Sequence, residues 1–261
     1  MKRKNGFLIF VTTLVYIFLL APLIIMSVAA FGTNEYLKFP PDGFSLRWVQ
    51  NIFQVEMFMK TFKISMEVAV IGTFIALLIG IPAAYVLSRY DFKGKGILQN
   101  LFLSPVIVPG IVLGFSLLEF LVIVNKLPLF PSLLLGHTVT ILPYIIRVVS
   151  SSLESFDYSI EEAAISLGAS RLKTFFLVVM PNVTSGIIAA FILAFINSFN
   201  NVPISVFLTG PGISTLPIQM MSYVEYYFDP TVAALSVILM AMTAVLMFIV
   251  EKTLGLSFFA K

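Results

Sequence analysis

The chain has 261 residues, of which 59% are hydrophobic and only 11% charged, and its formal net charge is +3. Soluble globular domains carry roughly 25% charged residues, so a freely soluble enzyme is excluded. A nucleic-acid-binding module is excluded too, because the Lys and Arg residues are scattered at the ends of apolar runs instead of gathered in a patch. Cysteine is absent, which removes disulfides, thiolate nucleophiles and Cys-based metal sites.

Six apolar runs approach the length needed to cross a hydrocarbon core. They predict one all-α polytopic membrane domain over 1–261, since backbone groups in lipid must be satisfied within each segment and no alternating strand pattern is present. The first, 7–31, follows Met-Lys-Arg-Lys. A cleaved signal peptide is its rival reading, but the run is longer than the usual apolar core of about 7–15 residues, which favours a retained helix. The second, 68–88, is interrupted by Gly72, Gly80 and Pro82, and the third, 97–124, carries Glu119 near its end. The fourth, 127–146, contains Pro128, Pro131 and Pro143; the fifth and sixth cover 182–208 and 231–250.

Basic residues orient the spans. With the N-terminus in the cytoplasm, Lys2, Arg3, Lys4, Arg89, Lys93, Lys95, Arg147, Arg171, Lys173, Lys252 and Lys261 fall on the inner side, against Lys38, Arg47, Lys60, Lys63 and Lys126 outside. The excess of positive charge predicts both termini, and the loop 154–181, in the cytoplasm.

That loop is a polar island. Ser159 followed by Glu162 has capping-box spacing and predicts a helix starting at Ile160. Phe156, Ile160, Ala163, Ala164 and Leu167 recur at helical intervals and define one apolar face. Gly168 can end the helix with a left-handed residue, a second helical stretch begins near Ser170, and Pro181 marks the entry to the fifth span. Small Ala163 and Ala164 permit close approach of another surface, and Glu161 and Glu162 can meet basic groups on it.

The stretch Glu162-Ala163-Ala164, Gly168, Val178, Met180 and Pro181 resembles the Glu-Ala-Ala signature of permease subunits of bacterial ATP-binding-cassette (ABC) importers. The details are similar to the second permease of spermidine/putrescine-type systems, through Ala84–Arg89, Leu167–Ser170 and Leu208–Pro217. The resemblance implies a type I importer permease of six helices in the bacterial inner membrane. It also implies two ATPase subunits that bind ATP and magnesium, a second permease chain in a heterodimer or homodimer, and an extracytoplasmic solute-binding protein. Ser159, Glu161, Glu162, Ala163, Ala164, Leu167, Gly168 and Pro181 would then couple to the ATPase. No cofactor or catalysis is expected in this chain: its one Gly-Lys pair, Gly94-Lys95, lacks the surrounding residues of a phosphate-binding loop.

Other residues carry two readings each. Glu119 either snorkels to the interface or lines a pathway. Asn197, Asn200 and Asn201 either line it or bond between helices; many polyamine-carrying relatives have acids at the last two positions, so amino-phosphonates and other small solutes stay open beside polyamines. Glu225 and Asp229, among Tyr223, Tyr226 and Tyr227, either touch the binding protein or lie at the interface for partitioning reasons. His137, without a second His or Cys nearby, reads as a packed residue. A self-contained secondary transporter would need charged or broken helices in paired halves, and a scaffold would make the signature accidental.

Overall fold

A computed structural model of the chain describes residues 6–254. Lys2, Arg3, Lys4 and Lys261, used above for orientation, lie outside the described residues. The helices in chain order are α1 (Gly6–Ala29), α2 (Arg47–Gln54), α3 (Glu56–Arg89), α4 (Lys95–Ile107), α5 (Gly110–Leu117), α6 (Leu129–Ser155), α7 (Tyr158–Ser166), α8 (Arg171–Thr174), α9 (Met180–Asn182), α10 (Thr184–Phe199), α11 (Val202–Leu208), α12 (Leu216–Tyr226) and α13 (Thr231–Leu254). Wider π-helical turns follow α5 at Leu118–Val124 and α8 at Phe175–Val179. Four helices, α1, α3, α6 and α13, are long and apolar enough to cross a membrane, and two bent pairs bring the count to six if each is one span.

The helix ends depart from the apolar runs for local reasons. Helix α3 begins at Glu56, not near Val68, because its charged first turns are helix-compatible: Glu56 and Lys60 pair at 2.8 Å and Lys63 and Glu67 at 3.9 Å, both at i,i+4. Its 34 residues span about 50 Å, well beyond a hydrocarbon core of about 30 Å. Likewise α6 continues to Ser155, past Arg147 and the serines that a hydropathy limit at 146 discards. The run 97–124 is not one straight helix. Pro109 forces Val108 into the extended region (φ −73°, ψ 132°), and the chain bends by 100° between α4 and α5. The run 182–208 also divides, for α10 ends at Phe199 and Asn201 starts α11 afresh.

Two compact units divide the chain, one holding residues up to Lys60 with Gln219–Thr243, the other Thr61–Ile218 and the chain from Ala244. In the first, Trp48 Nε1 donates to the Gly32 carbonyl at 3.1 Å, Asn51 Nδ2 donates to Thr231 Oγ1 at 2.8 Å, and the rings of Phe58 and Tyr223 meet at 5.0 Å. Among the described residues, none in the most apolar stretch of α1 is buried, as suits a helix facing lipid.

In the second unit α6 is the central post. Its Ile141, Ile145, Val149 and Leu153 are buried together with Ala76 and Ala84 of α3 and Ala190 and Ala194 of α10. Without a hydrophobic drive between helices in lipid, small residues that allow close approach do this work. A Cβ on Gly186 would fall inside the Ser152 side chain, and one on Gly136 would lie 2.6 Å from Leu208. Replacing Gly186 with Val should therefore lower stability by about 1–3 kcal/mol, read as a lower thermal unfolding midpoint in detergent. Gly96→Ala, with open space around it, should leave that midpoint unchanged or raised.

Candidate functional site

The polar island folds as two short helices hung between the ends of α6 and α10. After α6, Phe156 turns extended, and Asp157 caps α7: its Oδ1 accepts from the Ser159 amide at 2.9 Å. This corrects the capping-box reading of Ser159. An Asp side chain two residues before an orphan N–H forms the shorter, more direct cap, so α7 starts at Tyr158 and Ser159 lies inside its first turn. The hydrogen bond from the Ser159 amide holds the Asp157 carboxyl below its ordinary pKa, and the cap stays charged through the neutral range.

The other end of α7 closes as the glycine suggests. Gly168 has φ +92°, its amide donates to the Ile165 carbonyl at 2.9 Å, and the Ala169 amide reaches back to Ala164 at 3.1 Å. This is the paired closing pattern of a Schellman end, which requires a left-handed residue at that place. Ser170 then caps α8, its Oγ accepting from the Lys173 amide at 3.3 Å. Pro181 is exposed within α9, and the bend into α10 falls at Val183.

Residues expected to share one apolar face separate in the structure. Phe156 packs against the α3–α6 core and Ala164 is half-buried, whereas Ile160, Ala163 and Leu167 are exposed, Leu167 by 89%. Glu162 is exposed beside them, and Glu161 is buried at 2%. Successive helical residues lie about 100° apart, which is how two adjacent carboxylates come to point in different directions. The expectation that both glutamates face outward is corrected here.

Glu161 points at the foot of α3. Its Oε1 accepts from the Tyr85 hydroxyl, and its Oε2 lies 3.2 Å from Arg89 Nε. That second contact is electrostatic, since neither atom makes an aligned hydrogen bond. The Arg89 Nη2 donates to the carbonyls of Leu153 at 3.1 Å and Phe156 at 3.5 Å, and the guanidinium lies over the Tyr158 ring at 5.0 Å. Arg171 of α8 reaches the Tyr90 hydroxyl at 3.2 Å. Sequence reasoning missed Tyr85 and Arg89 as partners of Glu161. Their four-residue spacing at the end of a span was a visible signal, but a partner more than seventy residues away was not.

The other singled-out residues stand apart from this cluster. Glu119 is exposed on the first π-helical turn, and Asn197 is half-buried on α10. Asn200 donates to Ile196 at 3.1 Å and Asn201 caps α11 by accepting from Ile204 at 3.1 Å, so both serve their own backbone and neither bonds across helices. His137 is buried between Ser198 (Nδ1 to Oγ, 2.9 Å) and Ser205 (Nε2 to Oγ, 3.1 Å), joining α6 to α10 and α11. Asp229 accepts from the Tyr223 hydroxyl and the Thr231 amide, each at 2.9 Å, and Glu225 is exposed. Clefts with several polar lining residues lie among the described residues. One, of about 390 Å³, is lined by Ser88, Gln99, Asn100, Arg147, Ser150 and Glu154; another, of about 540 Å³, by Asn51, Gln219, Ser222, Tyr223, Tyr226, Tyr227 and Asp229.

Residues 76–253 match the family described as the binding-protein-dependent transport system inner membrane component. The chain is 30% identical over 253 residues to the putrescine transport system permease protein PotI of Escherichia coli (strain K12), covering 94% of this chain and 90% of the relative. It is also 30% identical over 243 residues to the spermidine/putrescine transport system permease protein PotC of the same strain, covering 93% and 90%. The molybdate/tungstate transport system permease protein WtpB of Pyrococcus furiosus is 28% identical over 203 residues, covering 77% of this chain and 80% of that protein. Among solved structures, a bacterial ABC transporter involved in alginate import shares the fold at TM-score 0.72 and 17% identity, covering 98% and 99% of the two chains. The MetNI methionine ABC transporter in an inward-facing form shares it at 0.62 and 19%, covering 76% and 95%. The chain belongs to the family of binding-protein-dependent inner-membrane components: it is a non-catalytic, multi-pass permease subunit of an ABC importer, driven by an ATPase on a separate polypeptide.

Proposed function

We propose that this permease carries a polyamine such as spermidine or putrescine, and that α7 is the part on which its ATPase acts. One observation supports the coupling role above all. The Glu-Ala-Ala helix is capped at both ends, and it presents Ile160, Glu162, Ala163 and Leu167 outward while its opposite side is tied to the chain. An exposed apolar patch with a small residue at its centre suits a protein groove, and the adjacent free carboxylate suits a cation in that groove. ATP and magnesium belong in this reading to two copies of the ATPase, whose closure pushes α7 and switches the access of a pathway shared with a second, non-identical permease chain. Both termini and α7 face the cytoplasm. The solute-binding protein docks on the opposite side, where Glu225, Asp229 and the tyrosines of α12 would meet it.

Two permeases named for putrescine or spermidine, each 30% identical over more than nine tenths of this chain, support the choice of solute. The match to a molybdate/tungstate permease, together with amides in place of acids at Asn200 and Asn201, favours an oxyanion as second reading. Proteoliposomes holding the full assembly with its binding protein decide between them: ATP-dependent uptake of spermidine is expected, and uptake of molybdate instead would replace it. Because the chain has no cysteine, Leu167→Cys provides a single thiol for topology. A membrane-impermeant maleimide should label it in inverted vesicles and not in right-side-out ones; the reverse pattern would place α7 on the wrong side. Glu162→Lys should weaken ATPase association by about 1–3 kcal/mol, the range for a polar partner left unsatisfied at a contact, measured as the ATPase retained on immobilised permease. Equal retention would remove Glu162 from the contact.

A further inference from the structure

We propose that Tyr85, Arg89 and Glu161 form a slip-resistant joint that makes α7 and the ends of α3 and α6 move as one body. The proposal rests on the reading of α7 as the part pushed by the ATPase. Three observations carry it. First, Glu161 is 2% exposed although it sits on a nine-residue surface helix whose residues 158–160, 162 and 163 are exposed. Packing alone has no use for a carboxylate there, since burying one is unfavourable unless it is paired. Second, its two oxygens engage two side chains one turn apart on α3, Tyr85 by hydrogen bond and Arg89 by charge. Third, the same Arg89 side chain donates to the Leu153 and Phe156 carbonyls at the end of α6, so one guanidinium joins its own helix α3 to α6 and α7.

The mechanical consequence follows from the difference between apolar and ionic contacts. Apolar surfaces slide past one another with little change in energy, because the hydrophobic effect is non-directional. A buried carboxylate cannot slide: rotating α7 about its axis would leave a charge without partners away from water. A displacement applied at Glu162 and Ala163 therefore reaches α3 without loss. The Arg171–Tyr90 contact fastens α8 to the same end of α3 and opposes twisting of the pair. Glu161, Tyr85 and Arg89 are thus positioning residues; none of them is assigned a contact with the ATPase or the solute.

The test uses the complete assembly of both permeases, ATPases and binding protein in proteoliposomes, with single cysteines introduced into this chain. Ala163→Cys reports docking by cross-linking to the ATPase. Glu67→Cys, on the half-buried surface of α3, reports transmission by its rate of reaction with an impermeant maleimide before and after trapping with ATP and vanadate. Trapping should change the Glu67→Cys rate in the parent by about fivefold. Glu161→Gln, nearly the same shape without the charge, should abolish that change and keep the Ala163→Cys cross-link; Tyr85→Phe should do so in part. Retention of the full rate change in Glu161→Gln overturns the joint and leaves docking standing, and so does an unchanged rate in the parent. Loss of assembly or of the cross-link in both variants would mark the cluster as a folding element and also overturn the joint. Failure of Ala163→Cys to cross-link in the otherwise parental assembly would overturn the coupling role of α7 itself.

Discussion

A carboxylate buried where a surface helix meets a membrane helix constrains everything around it. Glu161 can be held out of water only if Tyr85 and Arg89 stand opposite it, and they do so only if α3 ends where it does and α6 delivers the carbonyls of Leu153 and Phe156 to the same guanidinium. Removing one partner of such a group is worth about 3–5 kcal/mol. The seat of α7 is therefore among the most strongly specified positions of an otherwise apolar unit. The outward face of the same helix is left free of these obligations and can be shaped for a partner.

The same logic governs the rest of the apolar interior. Polar side chains in a lipid-embedded unit must find partners at short range. Several serines and threonines do so by bonding back to the preceding turn, as Thr138 does to Leu134 and Ser205 to Asn201. His137 is a long-range case, and by bonding Ser198 and Ser205 it fixes the break between α10 and α11 against the central post. The asparagines flanking that break are used in the same way, which explains why amides are compatible with it: Asn201 satisfies an orphan amide of α11 with its own side chain. Chain breaks at Pro109 and at Asn200–Asn201 are thus built from the residues that cause them.

Much of this was legible beforehand. The apolar runs, the left-handed glycine at Gly168, the second helical stretch near Ser170 and the Glu-Ala-Ala spacing are local signals, and the structure has the corresponding helices and turn. Some of the misses are local in origin and others are not. Hydropathy cannot tell a charged helical turn from a loop, so α3 and α6 extend past their apolar limits. Asp157 outcompeted Ser159 as cap because both can accept from a backbone amide and only the three-dimensional entry of the chain decides between them. The third span is not straight because Pro109, inside the apolar run, holds the residue before it extended.

The sequence by itself determined membrane residence, helical class and family, because these follow from composition and from spacings within twenty or so residues. The direction of each glutamate in the adjacent pair Glu161–Glu162 was decided only by the tertiary structure. Both residues have the same chemistry and neighbouring places on one short helix. Which of them is buried depends on a tyrosine and an arginine more than seventy positions earlier in the chain, brought beneath it by the packing of α3 on α6.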